Sequence, residues 1–174
     1  VGEDWPGEHT KLLEAQGIDT AGLTIEKGEK TFRWRGKYLP NMNDRETLVT
    51  DLNVFADFEP KLPASYLNSK YLLLGNIQPR LQRMVRQQMK DVKLAGGDTM
   101  NYWIADFREE LLKTIAGWDF LLINDGEARM LSGENNLRKA ANKIMDMGPH
   151  TLVIKRGEYG VLHLSDGQIF AAPA

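Results

Sequence analysis

Residues 118–133 read WDFLLINDGEARMLSG, and this stretch decides the fold of the chain. The apolar run at residues 120–123 predicts a short strand that is buried on both faces. Two polar residues, Asn124 and Asp125, follow the strand directly. A short helical pattern comes next and reaches its end at Gly133, a residue that commonly terminates helices. A buried strand that leads at once into a helix is typical of an α/β protein.

The same succession of strand and helix repeats on both sides of this stretch. Short apolar runs alternate with amphipathic helical patterns in the segments YLLLGN (71–76), RLQRMVRQQMK (80–90), VKLAGGDTMN (92–101), FREELLKTIAG (107–117), NNLRKAANKIMDMG (135–148) and TLVIKRG (151–157). The run YLLL, like the others, predicts a strand buried on both faces. Steady alternation indicates parallel strands joined by right-handed crossovers. The segments YGVLHL and QIFAAPA predict an antiparallel pair at the end. We therefore predict an α/β fold, a layered parallel sheet with flanking helices, from about residue 70 onward.

The stretch at residues 23–58 has a different, β-rich character. The segment LTIE, a turn at Lys27 and Gly28, and the segment KTFRWRGKYL predict a hairpin, because aromatic and β-branched residues alternate with charges. The segment TLVTDLNVF predicts a further strand. We expect a small inserted β-sheet at residues 23–69, and an α/β core formed by residues 1–22 and 70–174.

Composition excludes several classes of function. The formal net charge of −2 over 174 residues gives no reason to expect nucleic acid or a membrane surface as a partner. The longest apolar run is far shorter than the roughly 20 residues that span a bilayer. The chain has no cysteine, which excludes disulfides and thiolate chemistry and is compatible with a cytoplasmic protein.

Polar residues follow the predicted strands at the sheet edge where ligands of open α/β sheets bind. They are Asn76 after YLLL, Asp98 and Asn101 after VKLAGG, Asn124 and Glu127 after FLLI, and Lys155 and Gly157 after TLVI. A carboxylate near an asparagine suits hydrated Mg²⁺, which prefers oxygen ligands. Each position also has a structural explanation: Asn124 fits a helix cap, Gly157 a turn, and Asp98 an ordinary loop carboxylate. No phosphate-binding GxxxxGK[ST], HExxH or GxSxG motif is present.

Taken in order, these segments resemble the ribokinase-like carbohydrate kinases of the PfkB family. The stretch VGEDWPGEHTKLLEAQGIDTAGL resembles the family's V-G-x-D, a helix, and G-I-D-T leading into its lid. The segment LLINDGEARMLSG resembles the N-x-x-E segment, and TLVIKRGEYGVLHL resembles the strand that ends in two spaced glycines. The resemblance covers essentially the whole chain.

The resemblance implies an enzyme that uses ATP and Mg²⁺ to phosphorylate a hydroxymethyl group of a sugar or nucleoside. It implies a ribokinase-like core with a β-sheet lid, and a homodimer formed through the lid. By the same resemblance, Asn124 and Glu127 lie near the phosphates, with Glu127 at the metal. Lys155 and Gly157 belong to the nucleotide site. For the acceptor, the resemblance implies Asn76, Asp98 and Asn101, although the segment GNIQP lacks the substrate-facing Glu of ribokinase.

The chain begins and ends abruptly, and we expect it to be the central fragment of such a kinase. The resemblance implies that a GAGD-type segment carrying the general base follows Ala174, so that no catalytic residue lies in this chain and the 174 residues alone are inactive. Two alternatives stay open at this point. One is a non-catalytic sugar- or nucleotide-binding module of kinase ancestry. The other is a different doubly wound fold with a coincidental hairpin.

Overall fold

The protein is described by a computed structural model that covers residues 1–40 and 45–174. The chain divides into two compact units, Val1–Pro63 and Ala64–Ala174. Residues 41–44, which the β-rich prediction for residues 23–58 also covers, lie outside the described residues.

The described residues of the first unit form one α-helix, a short 3₁₀ helix (Asn53–Phe55) and a small antiparallel sheet. The helix is α1 (Gly7–Ala15), and the strands are β1 (Arg33–Tyr38) and β2 (Arg45–Asp51), with a bulge between Arg35 and Gly36. The small sheet is therefore confirmed, but the predicted strand pairing is wrong. The segment LTIE does not pair with β1; its one bridge joins Glu26 to Gly2, and β2 is the partner of β1.

Thr31, just before β1, joins three parts of the first unit through hydrogen bonds. Its backbone N–H and its hydroxyl both donate to Asp4 Oδ1 at 2.7 Å. The same hydroxyl accepts from the backbone N–H of Gly2 at 3.0 Å, and the Thr31 carbonyl accepts from Asn53 Nδ2 at 2.8 Å. The bonds from Thr31 lower the pKa of Asp4. The start of β1 and the end of β2, which lie together at one end of the small sheet, are thereby linked to the VGED segment through Thr31.

The second unit contains a six-stranded sheet with helices between its strands. Its elements are β3 (Tyr71–Leu74), α2 (Pro79–Gln88), β4 (Leu94–Asp98), α3 (Asn101–Asp106), α4 (Arg108–Ile115), β5 (Phe120–Asn124), α5 (Asp125–Ser132), α6 (Leu137–Met145), β6 (Thr151–Lys155), β7 (Val161–Ser165) and β8 (Gln168–Ala172). The strand order is β3-β4-β5-β6-β7-β8, parallel from β3 to β6 and antiparallel from β6 to β8. The predicted α/β sheet with its antiparallel pair is confirmed.

One face of this sheet forms the core with the helices. Leu121, Ile123, Leu152 and Ile154 are fully buried there, together with residues of the intervening helices. Strand β3 lies at the edge of the sheet, and every second side chain on it is exposed. Tyr71 is 73% exposed and Leu73 is 68% exposed. The prediction that YLLL is buried on both faces is therefore wrong for β3, because an apolar run alone does not distinguish an edge strand from a central one.

Two consecutive glycines let the strands approach closely at β4. A Cβ on Gly96 would lie 2.1 Å from the carbonyl oxygen of Phe120, and a Cβ on Gly97 would lie 2.1 Å from that of Leu74. The carboxyl half of β4 therefore has no side-chain packing until Asp98, its last residue.

Within residues 1–40 and 45–174, no helix combines the length and the apolar character needed to cross a membrane.

Candidate active site

Three of the candidate residues end neighbouring parallel strands: Asp98 ends β4, Asn124 ends β5 and Lys155 ends β6. Asp98 is opposite Leu122, and Asn124 is opposite Lys155. Side chains alternate along a strand, so Leu122 and Asn124 point to the same face, and their partners point there too. The fold therefore brings Asp98, Asn124 and Lys155 to one face at one edge of the sheet.

Asn124 also begins helix α5 through a reciprocal capping box. Its Oδ1 accepts from the backbone N–H of Glu127 at 2.8 Å, and its own backbone N–H donates to Glu127 Oε2 at 2.7 Å. Gly133 ends the helix in the left-handed conformation, at φ 73°. The helix-cap explanation for Asn124 is thus correct. The cap fixes one oxygen of each side chain and holds the carboxylate of Glu127, a residue that is 7% exposed, beside the strand end.

Asp98 is a partly buried carboxylate. Burial raises its pKa, and the nearby positive charge of Lys155 opposes that shift. Its Oδ1 is buried and has no hydrogen-bond partner among the described residues. A buried carboxylate oxygen without a partner is costly in a folded protein, and such groups are concentrated at binding sites. Asp98 is the last residue of β4, so it is a strand-end carboxylate and not a loop carboxylate.

Asn76 is exposed two residues beyond β3, but its side-chain amide is held in place. Its Oδ1 accepts from Trp103 Nε1 at 2.8 Å, and its Nδ2 contacts Met100 Sδ at 3.2 Å. Asn101 is exposed and begins helix α3. The sequence patterns did not predict α3. They did not predict the bond from Trp103 either, because no local signal links residues that are 27 positions apart.

The turn after Lys155 has the geometry of a connection between two strands. Gly157 has φ 55° and begins a single 3₁₀ turn, Gly157–Tyr159. The backbone N–H of Arg156 donates to the carbonyl of Gly160 at 2.8 Å and closes the loop. The turn explanation for Gly157 is therefore correct as a description of the backbone, and Lys155 stays exposed at the strand end.

Among the residues that the structure describes, no group of three or more His, Cys, Asp or Glu side chains could hold a metal ion by itself. Mg²⁺ does not require such a group, because it keeps several waters and binds through one or two carboxylates together with substrate phosphates. The Glu127 carboxylate, which is fixed by the capping box, is an oxygen donor of the kind that Mg²⁺ prefers.

A sequence model of the pfkB family of carbohydrate kinases matches residues 1–174, the whole chain. The chain belongs to the pfkB carbohydrate kinase family. Membership confirms the resemblance found in the sequence and overturns the alternative of an unrelated doubly wound fold.

A curated relative in this family is a cytidine kinase of Thermococcus kodakarensis. It is 27% identical over 177 residues, an alignment that covers 100% of this chain and 62% of the relative. The chain thus spans less than two thirds of the length of that relative.

Solved structures of the pfkB and ribokinase type have the same fold. A putative ribokinase II from E. coli, solved in complex with ATP and Mg²⁺, matches with a TM-score of 0.78 at 18% identity, over 100% of this chain and 60% of that one. Adenosine kinase from Sinorhizobium meliloti matches with a TM-score of 0.79 at 15% identity, over 100% of this chain and 56% of that one. The nucleoside kinase of Methanocaldococcus jannaschii matches with a TM-score of 0.74 at 16% identity, over 99% and 56%. The ribokinase-like fold is therefore confirmed.

Proposed function

We propose that the whole protein to which these 174 residues belong transfers the γ-phosphoryl group of ATP to a hydroxymethyl group of a nucleoside or sugar. The observation that carries the proposal is the arrangement of Asp98, Asn124 and Lys155 on one face at neighbouring strand ends. Open α/β sheets bind their ligands at this edge. The arrangement provides a carboxylate for a hydroxylated acceptor and a cation for a phosphate within one site.

The nucleotide is assigned to the β5 and β6 side of the edge. Lys155 is exposed and would interact with phosphate oxygens as a point charge, while the turn at Gly157 lets the backbone approach them. Glu127 would hold Mg²⁺ through the waters of the ion, and bound Mg²⁺ would neutralise charge on the phosphates. Phosphoryl transfer depends mainly on such positioning and charge stabilisation.

The acceptor is assigned to the β3 and β4 side of the edge. Asp98 is only partly buried, and its carboxylate would accept a hydrogen bond from an acceptor hydroxyl. Asn76, fixed by Trp103, and the exposed Asn101 would contribute amide groups to the same ligand. The transferred bond forms between the acceptor hydroxymethyl oxygen and the γ-phosphorus, and the bond between that phosphorus and the β–γ bridging oxygen breaks to leave ADP. The hydroxyl proton leaves to a base that we do not assign to any residue named here.

Nucleosides are the first acceptors to test, because the T. kodakarensis relative is a cytidine kinase. Three further expectations remain predictions: the lid role of the small sheet at residues 23–69 beside a core of residues 1–22 and 70–174, a homodimer through that lid, and a cytoplasmic location.

The proposal is tested by ADP release from the intact protein with MgATP and a panel of nucleosides, pentoses and hexoses, with the product identified by mass. We expect a monophosphate of at least one panel member, and its formation should fall in a Lys155→Met variant. The matched control is Lys139→Met, since Lys139 is an exposed lysine on α6. Binding of an acceptor and of ATP without any transfer would overturn the proposal and favour the non-catalytic binding module.

A further inference from the structure

The side chain of Gln82 is a buried amide that contacts the backbone at the ends of β3 and β4. It belongs to α2 and is 1% exposed. Its Nε2 donates to the carbonyl of Gly75 at 2.9 Å and to that of Asp98 at 3.1 Å, with a longer contact of 3.5 Å to the carbonyl of Leu74. One buried side chain therefore joins the ends of two strands.

The carbonyls of Gly75 and Asp98 lie just beyond the last paired residues of β3 and β4. The last paired residues of β3 and β4 are Leu74 and Gly97. Gly75 is the first residue after β3, and Asp98 is the last residue of β4; between them the amide of Gln82 takes the place of a backbone ladder bond. Gly96 and Gly97 contribute no side-chain packing near Asp98, so the cross-link is a side-chain contact that joins Asp98 to the end of β3.

Helix α2 is itself anchored, so Gln82 is a fixed point. The buried hydroxyl of Thr114, on α4, donates to the carbonyl of Pro79 at 2.9 Å at the start of α2. Arg83, the neighbour of Gln82, forms an ion pair with Glu110 on the same helix α4. The cross-link therefore holds both strand ends to the helical layer and to each other.

Packing alone does not favour an amide at this position. The Oε1 of Gln82 is buried and has no hydrogen-bond partner among the described residues, a cost that an apolar side chain of equal volume would avoid. The orientation of the amide is fixed by chemistry, since the flipped amide would place an oxygen against carbonyl oxygens. The ability of its side chain to donate hydrogen bonds therefore distinguishes Gln82 from the leucine and methionine residues around it on α2.

We propose that Gln82 is a positioning residue that sets the distance between Asn76 and Asp98 and thereby the fit of the acceptor. Asn76 follows Gly75 directly, and the Asp98 carbonyl is itself a partner of Gln82. Among the described residues, Gln82 forms no hydrogen bond with β5 or β6, the strands that end at Asn124 and Lys155, so we expect nucleotide binding to be independent of the cross-link. This inference rests on the proposed function, which assigns Asn76 and Asp98 to the acceptor.

The test compares Gln82→Met with Gln87→Met in the intact protein, because Gln87 is an exposed glutamine on the same helix. The measurements are the acceptor KM, the KM for ATP and the melting temperature, with the acceptor identified in the panel above. We expect Gln82→Met to raise the acceptor KM about tenfold to a hundredfold while the KM for ATP stays within about twofold. Gln87→Met should change neither constant.

Three further variants distinguish failure of the positioning role from failure of the proposed acceptor site. Gln82→Glu keeps the shape but replaces the donor with an acceptor, and it should raise the acceptor KM at least as much as Gln82→Met. If both KM values rise together in proportion to a loss of melting temperature, or if neither changes, the positioning role is overturned. If Asn76→Ala and Asp98→Asn leave the acceptor KM unchanged, the proposed acceptor site fails, and the inference fails with it.

Discussion

Asn124 and Glu127 exchange two hydrogen bonds at the start of helix α5, at 2.7 and 2.8 Å. The relationship gives both residues a structural task in addition to the proposed one at the phosphates. Removal of either side chain therefore changes stability and function together, and a matched variant is needed to separate the two.

Asn136 provides the matched variant for Asn124. It begins helix α6 and accepts from the backbone N–H groups of Arg138 and Lys139, so it is also an N-cap. We predict that Asn124→Ala and Asn136→Ala each lower the free energy of unfolding by about 1 kcal/mol. Only Asn124→Ala should lower the rate of phosphoryl transfer, as measured by ADP release. Equal losses of rate in the two variants would show that Asn124 acts only as a cap.

The two tasks of Glu127 separate in a Glu127→Gln variant. Glutamine preserves the capping box, because its side-chain oxygen still accepts from the backbone N–H of Asn124. The negative charge is lost, and we predict that the Mg²⁺ concentration for half-maximal rate rises about tenfold. The melting temperature should change little. A Mg²⁺ titration with the same midpoint as the wild-type protein would contradict the metal assignment.

Close approach of the strands makes Gly97 sensitive to a single methyl group. In a Gly97→Ala variant, the new Cβ would meet the carbonyl oxygen of Leu74, a backbone atom that cannot rotate away. We predict a loss of about 1–3 kcal/mol in the free energy of unfolding, measured by urea denaturation. Gly75→Ala is the control, since a Cβ there meets nothing within 4 Å, and its effect should stay within about 0.5 kcal/mol. Similar unfolding midpoints for the two variants would contradict the strand geometry.

The pH dependence of stability follows from the raised pKa of Asp98. A carboxyl group whose pKa is higher in the folded than in the unfolded protein stabilises the fold at low pH, and this contribution is lost as the pH rises through the folded value. We therefore predict that Asp98→Asn raises the melting temperature at pH 7 and that the gain shrinks toward pH 4. The same variant should bind the acceptor more weakly. A gain in melting temperature that grows as the pH falls would contradict the burial of this carboxyl.

Local signals predicted much of the fold, and long-range contacts account for the errors. Local signals alone predict one strand and one helix, and the structure has both. The strand follows from the apolar run between Phe120 and Ile123, and the helix from its ends at Asn124 and Gly133. Alternating residues identified β1 but not its partner, since alternation does not specify which segment pairs with it. The apolar run of β3 looked like a central strand because burial depends on neighbours that are distant in sequence.

The candidate site was predictable to the same extent. Strand ends identified Asp98, Asn124 and Lys155, because the carboxyl ends of parallel strands meet at one edge. Gln82 and Trp103 were missed, since their partners are 7 to 27 residues away. One signal for Gln82 was available: it shares a helical face with Val85 and Met89, and a polar residue on an apolar face indicates a buried hydrogen bond.

The most direct test of the account is calorimetric titration of the intact protein with MgATP and, separately, with its acceptor. The central claim is that one edge of the sheet binds both substrates, the acceptor at Asp98 on β4 and the nucleotide at Lys155 on β6. We predict that Asp98→Asn weakens acceptor binding at least about tenfold and leaves the Kd for MgATP within about twofold. Lys155→Met should show the reverse. Wild-type affinities for both ligands in both variants would contradict the claim.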